Sequence, residues 1–290
     1  MNTVWSDHVQ GIDTLYLSRQ LRFDDYFKMR YLPAFSLDPD RKLRILEIGC
    51  GPGALAQALN RWYPHAEITA VDRDSAFITY AKEKVPRVTF MEGDATHLPF
   101  EDGSFDVTIS NTVSEHIEPS AFYGEQRRVL KEGGICLVLS ARRGYNHRAD
   151  CLAENEYEKQ FWAKIQKYDH SMEEYQVCQY PLSEKEHPAV MTEYGFVNVS
   201  CSYAVIDLTP DDPKYPEDMA LRMIEAGRGN DLDAVLRAGK TLPEHVSKNE
   251  IEKMIRIVNE KYDKRIDQYL RGIKQWNTSV SITMIVRGEK

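Results

Sequence analysis

Cysteine is scarce and scattered in this chain. Cys50, Cys136, Cys151, Cys178 and Cys201 are five in number, with no C-x-x-C pair. An odd, dispersed set argues against a disulfide framework and against a thiolate zinc site, and fits a reduced cytoplasm. Long apolar runs are missing as well. Nothing approaches the ~20 residues of a membrane-spanning helix, and the opening "MNTVWSDHVQ" has neither a basic nor an apolar leader region. The expectation is a soluble, cytoplasmic protein with no membrane partner and no bound metal. Positive charge is short too: 37 Lys and Arg stand against 45 Asp and Glu, a net charge of −8. An acidic chain has no general attraction to a phosphate backbone, which disfavours nucleic acid as substrate. The local exceptions are Arg127–Arg128 and "ARRGYNHR" at Ala141–Arg148. No repeat or low-complexity linker divides the 290 residues, and 42% hydrophobic content suffices for one sizeable core.

What is present is an alternation of strand and helix patterns. "RKLRILEIG" reads as a first strand and Ala54 to Tyr63 as a helix stopped by Pro64. "AEITAVD" is a second strand, followed by the helix "DSAFITYAKEKV" with Asp74 or Ser75 as its cap. "RVTFMEGD" and "SFDVTIS" are the third and fourth strands. A helix to Leu130 is stopped by "KEGG", and "ICLVLS" is the fifth strand. Such spacing implies βαβ units and a mainly parallel sheet covered on both faces. Before this core, "LYLSRQLRFDDYFKMRYL" has helical apolar spacing closed by Pro33 and Pro39. After it, Gly144 to Pro181 is polar, aromatic and helical, with "SMEE" at Ser171–Glu174 as a capping box. "SEKE" at Ser183–Glu186 is a second box, opening a helix that runs to "YGF". "FVNVSCSYAVI" is strand-like. Thr209 to Asn277 is a second helical insertion, with Gly227 and Gly239 expected as helix stops. "SKNE" at Ser247–Glu250 caps its long amphipathic helix. "SVSITMIVRG" closes the chain as a strand.

The stretch "ILEIGCGPGALAQAL", Ile45–Leu59, carries the chemistry. A strand turning sharply into a helix exposes backbone N–H groups, and glycine lets a ligand approach closely. Gly49, Gly51 and Gly53 therefore suit a nucleotide-like ligand. The order G-x-G-x-G departs from the dinucleotide fingerprint G-x-G-x-x-G. Glu47, just before the loop, would repel a pyrophosphate and suit a cationic ligand. Asp72, one βαβ step later, can accept hydrogen bonds from both ribose hydroxyls, or can simply cap the next helix. In "GDATHLPF", Asp94 can accept from an exocyclic amine and the Ala95 N–H can reach a ring nitrogen; Asp94 could equally cap "ATHL". In "FDVTISNTVSEHI" the fourth strand ends at Asn111, and Glu115 and His116 follow.

Taken together, "EIGCGPG", "VD", "GDATHLPF", "FDVTISN…SEHI" and "RVLKEGGICLVL" resemble, in order, the motifs of the class I, Rossmann-like S-adenosylmethionine-dependent methyltransferases. The resemblance covers Arg41 to Ala141, and "YGFVNV" and "SITMIVRG" resemble the last two strands. It implies an α/β fold: a seven-stranded, mainly parallel sheet with an antiparallel last strand. The expected division is a helical N-terminal segment (1–40), a core (41–143, 182–208 and 278–290), a first cap insertion (144–181) and a second helical insertion (209–277). The cofactor implied is S-adenosyl-L-methionine, with S-adenosyl-L-homocysteine as product. Gly49, Gly51 and Gly53 would pass under its methionine part beside Glu47. Asp72 would hold the ribose, Arg73 would flank the adenine, Asp94 and Ala95 would read its edge, and Asn111 would line the floor near the methyl group.

Arg19 or Arg22 could reach the cofactor carboxylate, or could merely pack the N-terminal helix. Tyr26, Arg143 and Tyr145 are candidate substrate contacts. His116 is the candidate general base, and Glu115 the second choice, wherever the nucleophile carries a proton; His116 could instead be structural. The loop after strand four reads "NTVS" and lacks an Asn-Pro-Pro-Tyr motif, which disfavours amide or adenine amino acceptors. The expectation is a small-molecule acceptor bound under a helical cap, by a monomer or homodimer. RNA or protein methylation, and cofactor binding without turnover, stand as alternatives, and an NAD oxidoreductase is the weakest.

Overall fold

A computed structural model describes residues 5–170, 174, 175 and 177–290, with every side chain among them except that of Arg143. Seven strands form one sheet: β1 (Arg44–Ile48), β2 (Glu67–Asp72), β3 (Thr89–Glu92), β4 (Phe105–Asn111), β5 (Leu130–His147), β6 (Val197–Leu208) and β7 (Thr278–Glu289), in the order β3-β2-β1-β4-β5-β7-β6. The pairings from β3 to β5 are parallel, and β7 runs antiparallel to both β5 and β6. This is the Rossmann-like α/β sheet expected from the sequence. β1 and β4 are largely buried on both faces, their buried positions including the polar Glu47, Thr108 and Ser110. The helices are α1 (Trp5–His8), α2 (Ile12–Arg22), α3 (Lys28–Phe35), α4 (Ala54–Trp62), α5 (Ser75–Lys84), α6 (Pro119–Val129), α7 (Glu156–Tyr168), α8 (Glu186–Glu193), α9 (Glu217–Thr241) and α10 (Lys248–Leu270).

Four local expectations are corrected. The N-terminal helical pattern splits in two, because the Asp24 carboxylate accepts the Tyr26 N–H and starts a 3-10 turn. Pro33 then lies inside α3 rather than ending it, and the chain leaves the helix at Ser36 with φ 50°. The fifth strand is much longer than "ICLVLS". It extends to His147 because β7 supplies antiparallel partners as far as Thr278. Gly227 and Gly239 do not stop a helix; α9 runs through both. A Cβ on Gly227 would sit 2.9 Å from the Tyr262 hydroxyl of α10, and one on Gly239 3.1 Å from Ile251. Both glycines let two long helices pack closely, which outweighs their cost in helix propensity.

The capping box at Ser247 forms in full, with the Ser247 hydroxyl accepting from the Glu250 N–H and the Glu250 carboxylate accepting from the Ser247 N–H. Ser183 and Glu186 exchange the same bonds, with α8 starting at Glu186. Of the box expected at Ser171–Glu174, residues 171–173 lie outside the described residues. The helical insertions share a core: Phe161 of α7 packs in one cluster with Ile224 and Val235 of α9 and Met254 and Val258 of α10. Beneath it the Lys261 ammonium holds the buried Glu158 carboxylate at 2.6 Å. No helix among the described residues is long and apolar enough to cross a membrane.

Tyr262 is nearly buried and its hydroxyl donates to Asp231, so it has little room to retreat. Gly227→Ala is therefore expected to lower stability by about 1–2 kcal/mol, overpacking outweighing the better helix former. A urea midpoint that rises instead would show that the α9–α10 contact is slack.

Candidate active site

The site grows out of the turn from β1 into α4. Gly49 has φ +68°, and a Cβ there would lie 2.4 Å from Val113 of the β4 loop, so only glycine fits. The Gly51 N–H donates to the Asp72 carboxylate at 2.8 Å, and the other Asp72 oxygen accepts the Asp74 N–H at 2.9 Å. Asp72 is therefore not the cap of α5. Asp74 is, accepting from Ala76 and Phe77. Asp74 also holds the N-terminal segment, through the Ser6 N–H at 2.8 Å.

These bonds border a cavity of about 360 Å³ at the carboxyl ends of β1, β2 and β4, the place and size of a nucleotide-type pocket. Glu47, Gly49, Gly51, Asp72, Arg73, Asp94, Ala95 and Asn111 all line it. Gly53 stands behind it instead; a Cβ there would strike Phe90 at 2.9 Å, so its role is to let α4 pack on the sheet. Glu47 is 2% exposed and its Oε2 has no hydrogen-bond partner. Burial, and then the neighbouring Asp72, push its carboxyl well above the usual range. Burial likewise raises Asp72, against the pull of the Asp74 and Gly51 N–H groups. The site thus presents two inward carboxyl groups, one with an oxygen left unpartnered, and suits a ligand bearing a cation. Asp94 turns its Oδ1 to the Thr96 N–H and hydroxyl, each at 2.8 Å, so a local turn holds its carboxylate in place.

The N-terminal helices form part of the wall. Arg19 lines the cavity and donates to the Thr112 hydroxyl at 3.2 Å. Burial, with Arg22 close by, pushes its guanidinium down to about 9. Arg22 itself is not among the lining residues. Neither are Tyr26, 47% exposed with its hydroxyl on the Lys214 carbonyl, nor Tyr145, 61% exposed on β5. The Arg143 backbone pairs with Ile282, and its side chain lies outside the described residues.

His116 lines the cavity, with the Trp5 ring edge-on at 4.9 Å between centroids. Its Nδ1 accepts the Cys178 N–H at 2.9 Å. Burial, with Arg73 adding to it, pushes the imidazole down to about 4. The ring is neutral at pH 7 and its proton sits on Nε2, which makes it a hydrogen-bond donor in this arrangement. Glu115 does not line the cavity. Its backbone carbonyl accepts the Tyr180 N–H at 2.9 Å, and burial raises its carboxyl between Arg19 and Arg142. Trp5, Gln10, Thr112, Gln179 and Tyr180 also line it and were not anticipated. Thr112 follows Asn111 within the motif after β4; no motif marks the other four, which tertiary packing alone brings there.

Residues 46–138 match the family model described as a methyltransferase domain. The core is a class I, Rossmann-like methyltransferase domain. Over 107 residues the chain is 37% identical to a fatty-acid O-methyltransferase of Mycolicibacterium smegmatis, an overlap of 36% of this chain and 39% of that protein. Over 97 residues it is 35% identical to a demethylmenaquinone methyltransferase of Thermotoga maritima, covering 33% of this chain and 42% of the relative. The chain spans about two fifths of the length of the curated relatives it matches. Among solved structures, phosphoethanolamine N-methyltransferase 2 of Haemonchus contortus, in complex with S-adenosyl-L-methionine, superposes with a TM-score of 0.52 at 19% identity, over 100% of this chain and 60% of that one. The cyclase SpnF superposes at 0.50 with 16% identity, over 92% and 80% of the two chains. These two likenesses show the fold alone, and one fold hosts more than one reaction.

The Gly49 geometry yields a stability test. Gly49→Ala is expected to destabilise the methyltransferase domain by more than about 2 kcal/mol, from left-handed backbone strain plus the clash with Val113. Combining it with Val113→Ala removes the clash and leaves the strain, so the urea midpoint of the double variant should recover only in part. Full recovery would mean that the backbone at Gly49 carries no strain.

Proposed function

We propose that this protein is an S-adenosylmethionine-dependent methyltransferase acting on a small-molecule acceptor under a helical cap. The observation that carries the reading is Glu47: a buried carboxyl with an unpartnered oxygen, next to the glycine loop and Asp72 in one cavity. An α-ammonium group satisfies such a carboxylate, whereas a pyrophosphate would meet two inward acids there. The match of residues 46–138 to a methyltransferase domain supports the same choice.

The assignments follow the walls of the cavity. Glu47 and the Gly49–Gly51 backbone take the methionine end, and Arg19 faces its carboxylate. Asp72, fixed by two N–H groups, keeps lone pairs for the ribose hydroxyls. Arg73, Asp94 and Ala95 border the adenine, and Asn111 forms the floor. The bound cofactor would supply an electrophilic methyl on a sulfonium, which the acceptor would take in line as the C–S bond breaks and S-adenosyl-L-homocysteine leaves. The protein's own task is alignment, worth about 7–11 kcal/mol when reacting groups are well held, and exclusion of water by the closing segments. His116 enters as a donor that orients the acceptor and not as a base, because its Nδ1 is engaged by Cys178. The named acceptors of the relatives, a fatty acid and a demethylmenaquinone, support a small acceptor.

Calorimetric titration tests the cofactor. S-adenosyl-L-methionine and S-adenosyl-L-homocysteine are expected to bind and NAD not, and Asp72→Ala to weaken binding at least about tenfold through the lost ribose bonds. Binding of NAD alone would overturn the reading. The raised Glu47 carboxyl adds a pH signature. Above the ordinary carboxylate range the free protein still holds a proton there that the ammonium must displace, so affinity should rise with pH from that range upward while the α-ammonium stays charged. Glu47→Gln should bind more weakly and flatten that slope; an unchanged slope would place the ammonium elsewhere.

A further inference from the structure

β5 carries an irregularity that the proposed function does not use. Pairing of β5 with β7 shifts between Ala141 and Arg143, so Arg142 is the extra residue of a β-bulge. Bulges of this kind re-aim a side chain next to active sites. Arg142 turns its guanidinium inward. Nη1 donates to the Leu182 carbonyl at 2.6 Å, while Nε and Nη2 are buried without a partner. The groups around it come from three other elements: Glu115 after β4, Tyr123 of α6 and His187 of α8. The Tyr123 hydroxyl and the His187 Nδ1 are also buried without a partner. Glu115 is shared with Arg19, so one acid stands between two guanidinium groups. A buried cation with two idle donors is tolerated where an anion is to arrive.

One short segment, Cys178–Leu182, touches both this cluster and the cavity. Gln179 and Tyr180 line the cavity. Three hydrogen bonds hold the segment down: the Cys178 N–H to His116, the Tyr180 N–H to the Glu115 carbonyl, and the Leu182 carbonyl to Arg142. A backbone carbonyl on a planar donor fork stands in for one oxygen of a carboxylate or phosphate, which would take two donors at once.

Resting on the methyltransferase reading, we propose that Arg142 anchors an anionic group of the methyl acceptor, a carboxylate or a phosphate monoester, which displaces the Leu182 carbonyl as Gln179–Leu182 moves aside while Cys178 keeps its bond to His116.

The test is hydrogen exchange of the full chain loaded with S-adenosyl-L-homocysteine, with hexanoate, hexyl phosphate or hexanol added. Either anion is expected to speed exchange of the Gln179, Tyr180 and Leu182 amides by about threefold or more as these residues are released, with Cys178 unchanged, and hexanol is not. Which anion acts decides between carboxylate and phosphate. Arg142→Gln should abolish the response. Arg142→Lys, which keeps the charge but not the fork, should keep it at weaker affinity, and serves if the glutamine variant does not fold. An equal response to all three probes, no response to either anion, or a response that survives in a folded Arg142→Gln protein would overturn the proposal. Calorimetry of S-adenosyl-L-homocysteine with the same preparation reads the cofactor site separately, so failure there falls on the methyltransferase reading instead.

Discussion

The hydrogen bond from the Gly51 N–H to the Asp72 carboxylate is the constraint on which the site depends. It ties the glycine turn after β1 to the end of β2. Asp72 then accepts from Asp74, Asp74 caps α5, and Asp74 also receives Ser6. One chain of carboxylates thus sets the floor of the cavity, starts a helix and pins the N-terminal wall. Its consequence is electrostatic. Glu47 is left buried next to Asp72 with one carboxyl oxygen unpartnered, a costly arrangement in a low-dielectric interior. Such a cost is borne where a ligand is to repay it.

The walls are assembled from distant parts of the chain. Trp5 packs on His116, Arg19 reaches Thr112, and Tyr180 is held by the Glu115 carbonyl. None of these contacts lies within the methyltransferase domain alone. Helices α7, α9 and α10 are bound to one another by a shared core and by the Lys261–Glu158 ion pair, which is nearly buried and keeps its charges satisfied. Two sequence-distant segments therefore pack as one body.

Local signals were reliable where the physics is local. The Ser247 capping box needs only residues three apart, and the glycine turn needs only its own backbone angles. They misled where a neighbour decides. Gly227 looks like a helix stop, yet the Tyr262 ring opposite makes glycine the residue that fits mid-helix. The strand pattern at "ICLVLS" covers the part of β5 within the parallel sheet, whereas its extension to His147 exists because β7 pairs with it. His116 was legible as a site residue but not its hydrogen-bonding state, since the N–H that occupies its Nδ1 comes from Cys178, 62 positions away.

The sequence by itself determined the alternation of strands and helices, the turn at Gly49–Gly53, and the acids Glu47, Asp72 and Asp94. These follow from periodicity, backbone freedom and charge, which are properties of neighbours along the chain. Only the tertiary structure decided that Glu47 is unpartnered, that Arg19 lines the cavity while Arg22 and Tyr145 do not, and that the bulge turns Arg142 inward. Burial and partner choice are relations between surfaces that meet only when the sheet, the N-terminal helices and the cap close on one another.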